Sequence, residues 1–245
     1  MISPIATGVF GGLGAAACAG LAVGAYAYAS QWPGSRIFGK ALVAPKRPGE
    51  LALTFDDGPN TKWTPRLLDV LASHEVRATF FLLGGRAEAE PELVRQIAAA
   101  GHLIGNHSWD HPNLARTGAS RVREELTRTS ETLGQITGAP VRFFRPPYGA
   151  RRPVVFRIAR KLGLKLVLWN AMTSDWSEPS AERIAEQLTK MIEGQRRRGR
   201  AANIVLHDGG HRDPAANRQP SVTAAEKLIE RYKGTHRFVT VDAWG

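Results

Sequence analysis

One cysteine, Cys18, occurs in the 245 residues of the sequence. That excludes a disulfide scaffold and any cysteine-rich zinc or iron–sulfur site, so a metal would have to be held by histidine and carboxylate. Asp, Glu, Lys, Arg and His are missing altogether before Arg36. Acidic residues are few: 22 Asp and Glu stand against 33 Lys and Arg, a net charge of +11. The surplus is compatible with nucleic acid, anionic lipid or an acidic polymer and selects none of them. No internal repeat is present, and no Gly-x-Gly-x-x-Gly follows a strand, so a dinucleotide-binding fold lacks support. Hydrophobic residues at 43% and charged residues at 22% exclude a disordered chain.

The charge-free start divides the chain into three parts. Residues 1–30 read as a transmembrane anchor or uncleaved signal segment, because Ile5 to Ala29 is almost wholly apolar and long enough to span a bilayer. Tyr26, Tyr28 and Trp32 stand where an interfacial aromatic belt belongs. A cleaved signal peptide is the rival reading: Ala27-Tyr28-Ala29 resembles a cleavage site, although the basic n-region is missing. Residues 31–49, with Pro33, Pro45 and Pro48, read as a linker, and residues 50–245 as one compact domain. Arg36, Lys40, Lys46 and Arg47 follow the apolar stretch, which by the positive-inside tendency would leave that domain in the cytoplasm.

From residue 50 the pattern alternates. Strands are expected at Glu50–Phe55, Val76–Leu83, His102–Gly105, Val141–Phe144, Lys165–Trp169, Asn203–Leu206 and Arg237–Val241. Helices are expected at Thr64–His74, Pro91–Ala100, Ser120–Thr137, Pro153–Leu162, Ser180–Glu193 and Ser221–Lys233. Seven strands interleaved with helices predict a parallel α/β domain.

In such folds chemistry is carried at the carboxyl ends of strands. The unusual polar residues fall there repeatedly: Asp56 and Asp57, His107 and His111, Arg145, Asp175 with Trp176, and His207 with Asp208. Two imidazoles four residues apart plus one carboxylate form a set that grips an ion and leaves positions open for water and substrate. Blander readings stand beside these. His-x3-His pairs occur in ordinary loops, Asp before Gly58-Pro59 makes turns, and Arg145-Pro-Pro-Tyr148-Gly149 suits a rigid extended turn. A lone His207 is usually a satisfied buried histidine; with a carboxylate neighbour it can stay protonated and act as general acid.

Five segments taken together resemble the polysaccharide deacetylases of the NodB-homology type, carbohydrate esterase family 4. They are Thr54-Phe-Asp-Asp-Gly-Pro59, His107-Ser-Trp-Asp-His111-Pro, Arg145-Pro-Pro-Tyr-Gly149, Asp175-Trp176 and Val205-Leu-His-Asp208, in the family's order. The resemblance implies a distorted (β/α)7 barrel and metal-dependent hydrolysis of N-acetyl groups from a GlcNAc-containing glycan: chitooligosaccharide, peptidoglycan or exopolysaccharide. It implies one divalent ion, zinc by default, with cobalt, nickel or manganese as substitutes, on Asp57, His107 and His111. Asp56 would be the general base, oriented by Arg145. The backbone N–H of Tyr148 would help hold the oxyanion, and Tyr148 would also contact substrate. His207 would protonate the leaving amine, with Asp175 setting its charge and Trp176 lining the acetyl pocket. One departure is visible: the family often carries an Asp three residues before Asp175, where this chain has Met172.

Other readings make different predictions. A non-catalytic glycan-binding relative would need a broken metal set, which this sequence does not have. A nucleic-acid binder is suggested only by Arg196-Arg-Arg-Gly-Arg200 and the net charge. No aromatic interleaving supports it, so no nucleic acid is expected as a partner. Family analogy places the domain outside the cytoplasm; the basic flank favours the inside, where a lipid-linked sugar precursor would be the substrate.

Overall fold

A computed structural model of the protein describes residues 20–177 and 180–245. Its strands are β1 (Glu50–Gly58), β2 (Thr79–Leu82), β3 (Leu103–Asn106), β4 (Phe143–Phe144), β5 (Lys165–Leu166), β6 (Ala171–Met172), β7 (Ala202–His207) and β8 (Arg237–Phe238). Helices α1 (Trp63–Ser73), α2 (Gly84–Ala89), α3 (Pro91–Ala99), α4 (Ala119–Thr137), α5 (Pro153–Lys161), α6 (Ala181–Arg197) and α7 (Gln219–Tyr232) connect them. All pairings are parallel, in the order β5-β4-β3-β2-β1-β7-β6, with β8 beside β1.

Side-chain alternation along β1 decides what reaches the site. Leu51, Leu53 and Phe55 point into one core, against Leu67 and Leu71 of α1, Ile184 and Leu188 of α6, and Leu228 and Ile229 of α7. The opposite face carries Ala52, which packs in a separate cluster with Phe81, Val167 and Trp244. Thr54 and Asp56 alternate onto this second face, so the strand delivers a buried hydroxyl and a buried carboxylate to the inside of the curl. Helix α4 closes on Gly138 at φ 70, the left-handed cap that glycine adopts without a Cβ penalty.

The structure corrects several expectations. Among the described residues there are eight strands where seven were expected. The expected strand Lys165–Trp169 is only Lys165–Leu166, and a further short strand, Ala171–Met172, follows it. The expected strand Val76–Leu83 is confined to Thr79–Leu82, and the last strand stops at Phe238 before a 3-10 turn at Val241–Trp244. Helix α2, opened by Gly84-Gly85, was not anticipated because two glycines hide its propensity.

Among the described residues no strand pairing joins β6 to β5, so the sheet is a curled half-barrel, a distorted form of the expected (β/α)7 barrel. The gap is spanned by residues read from sequence as linker. Leu42 bridges Val167, donating to Leu166 O and accepting from Leu168 N, each at 2.8 Å. Asn203 Nδ2 donates to Leu168 O (2.7 Å) and Val43 O (3.0 Å). The apolar run Ala41–Ala44 between prolines therefore belongs to the packed domain.

Residues 20–31 are helical. Among the described residues no helix is long and apolar enough to cross a membrane; residues 1–19 of the expected anchor lie outside the described residues. The helical stretch is tied to the domain by the fully buried Arg151, which donates to Ser30 O (3.2 Å), Gly149 O (2.9 Å) and Trp32 O.

Candidate active site

The carboxyl ends of the strands converge on a cleft of about 640 Å³ lined by Asp56, Asp57, His107, His111, Tyr148, Trp176 and His207. Every site residue named from the sequence lies here or against it. Asp56 and Asp57 end β1; His107 follows β3, and its backbone N–H bonds Leu82 O of β2 at 3.0 Å. Three residues of the site, Asp57 (φ 68), His111 (φ 64) and Tyr148 (φ 58), hold left-handed backbone. For non-glycine residues this costs about 1–3 kcal/mol each and persists only where the surroundings dictate it. The surroundings do so: a Cβ on Gly209 would lie 2.0 Å from Asp57 O, so only glycine lets the end of β7 press on that turn.

Asp57, His107 and His111 present one oxygen and two imidazole nitrogens, all within 4.8 Å of one another. Asp57 Oδ1 is 3.4 Å from His107 Nε2 and 3.2 Å from His111 Nε2, and it is buried without a hydrogen-bond partner. His107 Nδ1 lies 2.8 Å from Arg145 O, which can only accept, so Nδ1 carries a proton and Nε2 is the nitrogen turned toward the carboxylate. Burial, reinforced by His107, pushes the His111 pKa down to about 2, which keeps its ring neutral. Burial works against the Asp57 carboxylate, yet contacts with His107 and His211 outweigh it and hold the pKa well below the usual range. An orphaned buried carboxylate oxygen facing two imidazole nitrogens fits a divalent ion, and zinc takes this donor set readily.

Arg145 is fully buried behind this group. Its Nη1 donates to Asp56 Oδ1 (2.8 Å) and Thr54 Oγ1 (2.7 Å), and Nη2 to Asn203 Oδ1 (3.3 Å). Asp56 is thereby gripped by one oxygen, while Oδ2 lies 3.9 Å from His107 Nε2 on the cleft side. On the opposite wall Asp175 Oδ1 pairs with His207 Nδ1 at 2.8 Å, and Oδ2 accepts from His207 N (2.8 Å) and Ser221 Oγ (2.6 Å). Burial opposes a charge on His207, but Asp175, aided by Asp57 and Asp56, overcomes it and raises the pKa to about 9. Trp176 stands edge-on to His207 at 5.2 Å and is 45% exposed, so its ring is open to a ligand. Met172, at the position of the missing Asp, lines the same cleft.

Known proteins give the same picture. A family model described as polysaccharide deacetylase matches residues 44–167, and a peptidoglycan-N-acetylglucosamine deacetylase of Bacillus cereus is 39% identical over 202 residues, 82% of this chain and 70% of that protein. The chain belongs to the polysaccharide deacetylase family. It is a hydrolase of the N-acetyl amide bond, of the NodB-homology type. A chitooligosaccharide deacetylase of Sinorhizobium fredii is 37% identical over 183 residues, covering 72% of this chain and 82% of the relative. The crystal structure of a peptidoglycan N-acetylglucosamine deacetylase bound to a naphthyl N-hydroxybenzamide superposes with a TM-score of 0.73 at 37% identity, over 83% of this chain and 91% of that one. A family pseudoenzyme from Bacillus anthracis also superposes, with a TM-score of 0.74 at 23% identity over 83% and 68% of the two chains. That likeness shows the fold alone, so the case for activity in this deacetylase rests on its residues.

Glu125 and His211 shape the deacetylase site but were not singled out from the sequence, and Asp208 was named there without a role. Glu125, buried on α4, accepts from the backbone N–H of Trp109 (2.6 Å) and Asp110 (3.0 Å) and so clamps the His107–His111 loop. Its signal was an acidic residue on the apolar stripe Val122, Leu126, Thr129 and Leu133. Asp208, buried beside Gly58 and bonded by Thr64 Oγ1, has its pKa raised to about 7, by burial first and then by Asp57 and Asp56. His211 reaches Asp57 from the loop after β7 with no sequence pattern to announce it.

Proposed function

We propose that this deacetylase removes acetyl groups from GlcNAc residues of peptidoglycan or chitooligosaccharide, using one divalent ion, zinc, held by Asp57, His107 and His111. The observation that carries the reading is the unpartnered Asp57 Oδ1 facing two imidazole Nε2 atoms at the foot of the cleft. When bound, such an ion polarises the amide carbonyl and acidifies water. The chain's own groups do the rest. Asp56, turned by Arg145 so that Oδ2 faces the cleft, takes a proton from the attacking water as its oxygen bonds the carbonyl carbon. We assign the backbone N–H of Tyr148, in its left-handed turn, as a donor to the developing oxyanion. As the C–N bond breaks, protonated His207 gives its proton to the amine nitrogen, and acetate departs. Trp176 walls the acetyl group.

The test is acetate release by the full chain in detergent, since Arg151 binds residues 30–35 and trimming to Arg36 would strip those contacts. Chitooligosaccharides and peptidoglycan fragments are compared before and after chelation and after adding zinc. We expect release that chelation abolishes and zinc restores. No release and no bound ion would sink the proposal.

We further propose that residues 5–29 anchor the chain in a membrane, with the catalytic domain outside. The run without Asp, Glu, Lys, Arg or His supports the anchor, and the glycans named for the relatives support the side. Labelling of domain lysines by a membrane-impermeant reagent in intact cells is the expected outcome. Labelling only after lysis places the domain inside, as the basic flank Arg36–Arg47 suggests, and points to a lipid-linked precursor.

A further inference from the structure

His211 lies in the loop between β7 and α7, a segment strapped down at several points. Arg218 Nε donates to Gly209 O at 2.6 Å, Arg86 donates to Gly210 O, and Asn60 Nδ2 donates to Pro214 O at 2.8 Å. This strapping fixes where the imidazole goes. Its Nδ1 and its backbone N–H both lie 3.3 Å from Asp57 Oδ2, its Nε2 is 3.1 Å from the Tyr148 hydroxyl, and its ring stacks on His111 at 4.1 Å and 19°. A carboxylate oxygen can only accept, so the Nδ1 proton points at Asp57. In the neutral ring Nε2 then accepts from Tyr148 O–H.

The two oxygens of Asp57 are divided by this arrangement. Oδ2 is occupied by His211, and Oδ1 is left facing His107 and His111 without a partner. Stacking against His111 also fixes the plane of a second member of the triad. We propose that His211 is a positioning residue for the ion site: it holds Asp57 in the orientation that offers one oxygen to the ion, and links that orientation to Tyr148 on the cleft rim. The proposal rests on the reading of Asp57, His107 and His111 as the ion site. Partners that orient metal ligands in this way typically contribute about 10–100-fold in affinity.

The experiment measures zinc affinity of the full chain in detergent by competition with a chromogenic chelator, independent of any substrate. His211→Phe keeps an aromatic stack on His111 and removes the donor; His211→Asn removes the stack and keeps an N–H near the place of Nδ1. Expected are a 10- to 100-fold loss of affinity in the Phe variant, a loss of less than about fivefold in the Asn variant, and unchanged melting of both metal-free proteins. Wild-type affinity in the Phe variant overturns the positioning role. Equal losses in both variants overturn the assignment of the Nδ1 donor as its basis. Absence of zinc binding by the wild-type chain defeats the ion-site reading itself, whereas tight wild-type binding with an indifferent Phe variant defeats only His211.

Discussion

Replacing His107 by alanine is expected to lower acetate release by about 10³-fold or more while leaving a folded domain. The expected size follows from the chemistry assigned to the ion: several kcal/mol of transition-state stabilisation, at tenfold in rate for each ~1.4 kcal/mol. The structural cost is smaller. His107 is buried, and its removal leaves the Arg145 carbonyl without the Nδ1 donor, a penalty of about 1–3 kcal/mol. The 27-residue core cluster around β1, α1, α6 and α7 does not include His107, so cooperative unfolding should survive. Acetate release, zinc content by elemental analysis and thermal melting by circular dichroism check the three parts separately. A folded His107→Ala chain with wild-type turnover would remove His107 from the mechanism.

How much of this was written in the sequence depends on the length scale of each interaction. The polar residues at strand ends were legible because a parallel α/β chain brings those ends to one rim, whatever the details of each strand. Asp56, Asp57, His107, His111, Arg145, Asp175 and His207 meet for that reason. The two-residue strands β4, β5 and β6 were poorly bounded, since periodicity needs several residues to register and these are specified by their neighbours in the sheet. The extent of the curl was not legible: the alternation of elements is the same for a closed barrel and an open curl, and the residues that span the gap, Leu42 and Asn203, belong to a proline-bounded stretch and to β7. Left-handed backbone at Asp57, His111 and Tyr148 is a product of tertiary packing, visible only once Gly209 is seen against Asp57. His211 illustrates the same limit. Its loop is placed by Arg86, Asn60 and Arg218, of which the first two are more than 120 residues away in the chain.

Replacing Asp175 by asparagine keeps the shape of the side chain and removes the charge that sustains His207. Burial alone would push this imidazole toward its neutral form; the Asp175 carboxylate reverses that and brings the pKa to about 9 from an ordinary 6.5. The variant should therefore return the His207 pKa to 6.5 or below, measurable by NMR titration of the chelator-treated protein. At pH 7–8 the general acid would then be mostly unprotonated, and turnover should fall by about 10²–10³-fold. The loss should ease as pH is lowered, moving the alkaline limb of the profile toward acid. Stability carries the same sign. A histidine whose folded pKa is raised stabilises the native state fully below pH 6.5, and that contribution disappears as pH rises through 9. For a shift of this size it amounts to about 3 kcal/mol in the metal-free protein. Wild-type melting temperature should accordingly decline between pH 6.5 and 9 more steeply than that of Asp175→Asn. A His207 pKa unmoved by the substitution, or a parallel decline in both proteins, would mean that Asp175 positions the ring without charging it. The proton for the leaving amine would then have to come from elsewhere in the cleft.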